Sequence, residues 1–157
     1  MADKIRVAVV GAGVFGRHHL RILSLSPDAQ LAGVVDVDPG RASAAASEYK
    51  CPAYASLDEL AGKADAAVVA VPTSAHSQVG CTLLERGLDV LVEKPIAADH
   101  ASAQRLVETA GRNGRILQIG HLEHYNPAVV ALKKIVHIPL FFEIHRLSLP
   151  GPRSLDV

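Results

Sequence analysis

The 157-residue chain has no tryptophan, one methionine, two cysteines and no excess of either charge. Its 16 basic side chains are matched by 16 acidic ones, so the surface lacks the positive surplus that holds phosphate backbones or anionic lipid. Neither a nucleic acid nor a membrane is expected as a partner. Cys51 and Cys81 show neither zinc-site spacing nor a disulfide framework. Free thiols, a reducing compartment and hence a cytoplasmic location are expected, with no metal site. The N-terminal MADKIRVAVV carries only a short apolar run and no cleavage pattern, so no signal peptide is expected. No apolar run approaches the roughly 20 residues needed to span a bilayer. A chain of this length accommodates one well-cored domain and not two large ones.

What is present is an alternation of strand-like and helix-like segments. IRVAVV (5–10) is almost continuously apolar, as a strand covered on both faces should be. Further strands are expected in AQLAGVVDV, ending near Asp36, in ADAAVVAV up to Val71, in LDVLVE up to Glu93, and in GRILQIG up to Gly120. Between them, Asp38 caps and Pro39 opens one helix, which takes in the alanine-rich RASAAASEY. Ser56 and Glu59 have capping-box spacing for a short helix in SLDELAG. SAHSQVGCTLLERG reads as a helix stopped by Gly87. ADHASAQRLVETAG runs from Asp99 to Gly111, with Ala103, Leu106, Val107 and Ala110 as its apolar stripe. The alternation predicts an α/β fold with a doubly wound, mostly parallel sheet.

The pattern changes after Gly120. Asn126 and Pro127 open a helix that ends near Lys133 and Lys134. LFFEIHRLSLPGP then reads as a strand, with Leu140, Phe142 and Ile144 on one face and Glu143 and His145 on the other. Such a strand must be covered by this domain, a second copy or a partner. Residues 1–122 are expected to form this doubly wound domain. Residues 123–157 would supply a helix and the first strand of something unfinished.

GAGVFG places Gly11, Gly13 and Gly16 in G-x-G-x-x-G spacing, with Val14 and Phe15 between the last two. It leaves a strand and enters a helix, the context that gives the motif its meaning. Gly11 permits the tight turn, Gly13 lets the backbone approach a pyrophosphate, and Gly16 allows close helix packing. Asp36, at the end of the second strand, is placed to accept hydrogen bonds from ribose hydroxyls and to repel a 2′-phosphate. Asp38 already has a task as helix cap. Val37 brings no cation, although Arg41 lies one helical turn away. NAD is therefore expected over NADP.

Ligands of such sheets lie beyond the carboxyl ends of the strands. That criterion selects Val71, Pro72, Thr73 and His76 at the third strand and Glu93, Lys94 and Pro95 at the fourth. For His76, a ligand contact and a hydrogen bond to its own helix start are equally open. His18 and His19 follow the glycine loop, where positive charge opposes the helix dipole, and are expected to be neutral and peripheral. Lys94 either reaches solvent or hydrogen-bonds a substrate hydroxyl. Glu93 and Lys94 point opposite ways in extended backbone and need not pair. Pro95 admits a cis bond, with trans the expectation.

GAGVFG, VVDVDP, VPTSAH, EKP and GHLEHYNPAV, in this order and spacing, resemble the glucose–fructose oxidoreductase and inositol dehydrogenase family, most nearly its sugar-nucleotide 3-dehydrogenase-like members. The resemblance covers residues 5 to 157. It implies a dinucleotide-binding Rossmann domain over 1–122, then a larger α/β domain that carries substrate specificity and often the oligomer interface, of which 123–157 would be the crossover helix and first strand, truncated. It implies hydride transfer between nicotinamide and the hydroxyl carbon of a sugar, sugar nucleotide or cyclitol. Lys94 would be the catalytic lysine beside the reacting hydroxyl, and Glu93 would hold the strand end and cofactor pocket together. Pro72, Thr73 and His76 would line the cofactor, with Asp36 on the ribose. Residues 123–127 resemble the crossover bordering the active site; relatives often carry arginine at the position of His124. The family's catalytic histidine lies in the second domain and has no counterpart here. The chain alone is thus expected to bind cofactor without turnover, and to assemble as a homo-oligomer through its final strand. The alternatives are a non-catalytic module that senses a dinucleotide or serves assembly, and a Rossmann-like domain with no cofactor.

Overall fold

The computed structural model describes residues 4–138 together with residues 141, 143, 145 and 147. In chain order the elements are β1 (Ile5–Val10), α1 (Val14–Leu25), β2 (Ala29–Val35), α2 (Pro39–Tyr49), β3 (Ala53–Tyr54), β4 (Ala66–Val69), α3 (His76–Glu85), β5 (Asp89–Val92), α4 (His100–Asn113), β6 (Leu117–Ile119) and α5 (Pro127–Ile135). Single 3-10 turns lie at Leu57–Leu60, Thr73–Ala75 and Leu122–Tyr125. The six strands form one sheet in the order β3-β2-β1-β4-β5-β6, parallel at every pairing. The strand order therefore reverses between β1 and β4.

Alternation along β1 divides the core between the two faces. Val7 and Val9 pack with Leu20 of α1, Val34 of β2 and Ala45 of α2. Ala8 and Val10 pack with Leu83 and Leu84 of α3 and Leu106 of α4. The sheet is doubly wound, as the alternating pattern predicts. Leu20, Leu83, Leu84 and Leu106 are completely buried; each such side chain contributes about 1.5–3 kcal/mol. Small residues bring the helices close. The buried face of α2 consists of Ala42 and Ala45, and a Cβ on Gly80 of α3 would stand 2.6 Å from a methyl of Leu106.

Local differences from the expected elements have identifiable causes. SLDELAG forms one 3-10 turn rather than an α-helix, and the Ser56 side chain makes no cap bond. The Glu59 carboxylate instead accepts from the Ala55 amide at 3.1 Å. Helix α4 runs past Gly111 to Asn113 and ends on Gly114, whose φ of 59° is left-handed. Its inward face is Leu106, Thr109 and Ala110, whereas Val107 is 57% exposed. Strand β3 was not expected; two residues cannot display a period of two.

Contacts divide the chain into two compact units, Met1–Gly120 and His121–Val157. In the second, the Asn126 side chain accepts from the Ala128 amide at 3.0 Å and donates to Glu123 at 2.8 Å. Pro127 opens α5, and Lys133 and Lys134 occupy its last turn. The strand expected in LFFEIHRLSLPGP (140–152) lies outside the described residues in the main.

Candidate functional site

The sheet ladder continues one residue past the ends of four strands. Gly11 donates to Val35 O at 2.8 Å, Ala70 to Val10 O at 2.8 Å, Glu93 to Val69 O at 3.0 Å and Gly120 to Val92 O at 2.8 Å. Gly11, Ala70, Glu93 and Gly120 thus form one edge across the carboxyl ends of β1, β4, β5 and β6, with Asp36 directly after β2. The reversal of strand order opens at Gly11 and Ala70, where such sheets bind ligands.

Two of the loop glycines are required by the protein's own packing. Gly11 has φ 97°, and a Cβ there would lie 2.5 Å from Ala70 O. At Gly16 a Cβ would lie 1.7 Å from Gly11 O, so the helix could not seat on its loop. Gly13 differs, because a Cβ there would meet nothing within 4 Å. It is the N-cap of α1, offers no side chain to the first-turn amides, and is followed by no acid in that turn. Val14 and Phe15 are exposed beside it. An uncapped helix start with open approach suits an anion such as a pyrophosphate.

Asp36 is held from several sides, its side chain only 5% exposed. One oxygen accepts from the Ala12 amide at 2.7 Å. The other accepts from the Asp38 amide at 2.8 Å and from Arg41 Nη2 at 2.7 Å and Nε at 3.2 Å. Burial opposes its charge, but the Arg41 hydrogen bond and the two amides outweigh it and hold the carboxyl below the usual range. Asp38 caps α2 by accepting from Gly40 and Arg41 amides at 2.8 and 3.1 Å, the local task expected of it. Arg41 is therefore seated on Asp36 itself, a pairing that the sequence left open.

His76 is 2% exposed, and its ring nitrogens lie 2.9 Å from Val71 O and 2.9 Å from Pro95 O. Both nitrogens face backbone, so His76 ties the β4 exit to the β5 exit from within. Val71, Pro72 and Thr73 form the β4 exit ahead of α3. The Lys94–Pro95 peptide is cis. Glu93 is buried at 7% exposure and Lys94 is exposed.

His19 is not peripheral. Its Nε2 lies 2.7 Å from Glu93 Oε1, and its side chain is only 20% exposed. Phe15, four residues earlier on the same face of α1, has its ring centroid 5.7 Å from Lys94 Nζ. The i, i+4 spacing puts Phe15 and His19 on one helix face, but nothing in the sequence says which strand exit that face meets. An open cavity of about 720 Å³, lined by Leu23, Ala29, Leu31 and Tyr49 among others, lies at the opposite edge, near the starts of β1 and β2. It touches none of these residues, and the chemistry stays with the strand exits.

A glycine loop at the reversal point, an uncapped helix start and an anion at the end of β2 define a dinucleotide-binding Rossmann domain. The comparisons with known proteins agree. Residues 5–121 match the family model GFO_IDH_MocA, described as an oxidoreductase family with an NAD-binding Rossmann fold. The chain belongs to that family. It is 35% identical over 154 residues to UDP-N-acetylglucosamine 3-dehydrogenase of Acidithiobacillus ferrooxidans, covering 98% of this chain and 49% of that protein. Against inositol 2-dehydrogenase of Corynebacterium glutamicum it is 33% identical over 141 residues, covering 87% of this chain and 42% of that one. A solved structure of the Acidithiobacillus ferrooxidans enzyme, GnnA, superposes with a TM-score of 0.80 at 34% identity, over 85% of this chain and 44% of that one. The structure of GenD2 from gentamicin A biosynthesis, in complex with NAD, gives 0.80 at 30% identity, over 86% and 39%. The chain thus spans about half the length of the curated relatives it matches.

Proposed function

We propose that the protein is an NAD-linked oxidoreductase acting on a hydroxyl of a sugar, sugar nucleotide or cyclitol. The observation that carries this reading is the joining of two strand exits, those of β2 and β5, to the glycine loop and the helix it opens. Ala12 is bonded to Asp36, while Phe15 and His19 of α1 meet Lys94 and Glu93. The amides of Gly13, Val14, Phe15 and Gly16 would hold the pyrophosphate, Asp36 the adenosine ribose, and Val71, Pro72 and Thr73 the wall beside it. His76 acts indirectly, by fixing that wall to the β5 exit. Bound there, NAD supplies the hydride acceptor. Lys94 hydrogen-bonds the substrate hydroxyl and helps move its proton.

The substrates named for the relatives support a polyhydroxy substrate and leave its identity unassigned. Assembly as a homo-oligomer through the C-terminal strand region, a cytoplasmic location, and cofactor binding without turnover by this chain alone belong to the same proposal. Free Cys51 and Cys81 support the location. Among the described residues, no helix is long and apolar enough to cross a membrane.

The test is Lys94→Ala in the complete protein. Turnover of a sugar or cyclitol alcohol should fall by at least about 100-fold, the scale of a lost general acid–base group. NADH affinity should hold within about twofold, less than 0.5 kcal/mol. Undiminished turnover would remove Lys94 from the chemistry, and no turnover by the unaltered complete protein would favour a dinucleotide-sensing module.

A further inference from the structure

Glu93 is a buried acid one residue ahead of the lysine assigned to the chemistry. A carboxylate taken out of water loses several kcal/mol unless it is partnered. Its two oxygens are used differently. Oε1 lies 2.7 Å from His19 Nε2, and Oε2 accepts from the Lys94 amide at 3.2 Å. A carboxylate only accepts, so His19 Nε2 carries the hydrogen between them. Space for this carboxylate comes from the next strand exit. A Cβ on Gly120 would stand 3.1 to 3.4 Å from its three atoms.

We propose that His19 is a positioning residue for the reacting end of the site. Through Glu93 it fixes the backbone at Lys94, while Phe15 on the same helix face holds the lysine's ammonium. Helix α1 then sets the distance between the two halves of the cofactor site. Its start receives the pyrophosphate, and His19, farther along, anchors the strand exit that meets the nicotinamide. This inference rests on the proposed role of Lys94.

The experiment compares NADH with ADP-ribose, which shares the adenosine and pyrophosphate but lacks the nicotinamide. His19→Ala should leave ADP-ribose affinity within about twofold and weaken NADH at least fivefold, about two-thirds of a tenfold step in free energy. His19→Gln, whose amide can still donate to Glu93, should recover most of the loss. His19→Asn, polar but too short, should not, and it provides the comparison should the alanine variant fail to fold. An unchanged NADH to ADP-ribose ratio in the alanine and asparagine variants would overturn the proposal, as would equal weakening of both ligands. If the unaltered chain binds neither ligand, the cofactor reading fails. Hydrogen exchange of the Lys94 amide then decides the His19 tie alone. Exchange accelerated about tenfold in His19→Asn but not in His19→Gln supports it, and unchanged exchange overturns it.

Discussion

At Gly13 the chain leaves room that none of its own atoms fill, whereas a Cβ at Gly16 would collide with the Gly11 carbonyl. Gly16→Ala should therefore destabilise the fold by about 1–3 kcal/mol, as overpacking does. Gly13→Ala should leave the melting temperature nearly unchanged and still weaken NADH binding. Equal loss of stability in the two variants would contradict the division of labour. Arg41 carries a second prediction, since its guanidinium neutralises Asp36. Removing it leaves an uncompensated carboxylate facing any 2′-phosphate. Arg41→Ala should raise the preference for NADH over NADPH at least tenfold, about 1.4 kcal/mol, in parallel titrations. An unaltered preference would mean that Arg41 takes no part in discrimination. The glycine loop and Asp36 were legible in the sequence because their spacing is fixed by local geometry. The His19–Glu93 pair was not, because its members lie 74 residues apart and only the sheet brings them together.

Among the elements, β1 and β4 are fastened at their starts by one ion pair. Arg6 donates to Asp65 through its amide at 2.9 Å, Nε at 3.1 Å and Nη2 at 2.6 Å, and through Nη1 to Gly62 O at 2.7 Å. The Arg6 side-chain bond leads the causes that hold the Asp65 carboxyl down to about 2, from a usual value of about 3.9. A depressed carboxyl stabilises the fold above its unfolded value and loses that contribution as pH falls through its folded one. Melting temperature should thus decline from about pH 4 toward pH 2, and Asp65→Asn should flatten the decline. A variant with the same acid slope would show that the clamp adds nothing. The helix starts at Asp38, Asp99 and Asn126 were readable because each cap bond is local. SLDELAG misled because capping-box letters say nothing of a segment's length, and four residues make only one 3-10 turn.

On the scale of the whole molecule, alternation of strand and helix patterns was enough to fix the fold class. The position of the strand-order reversal was not written in any one segment. It follows from right-handed crossovers leaving β1 in one direction and β4 in the other. That reversal makes the carboxyl edge a ligand site, with Gly11, Asp36, Ala70 and Glu93 at the exits of β1, β2, β4 and β5. Binding of NAD at this edge underlies every role proposed for these residues. Its most direct test is calorimetric titration of the chain with NADH and, separately, NADPH. Saturable binding of one NADH per chain is expected, tighter than NADPH and weakened by Gly13→Ala with the fold intact. No binding of NADH, or tighter binding of NADPH, would contradict it.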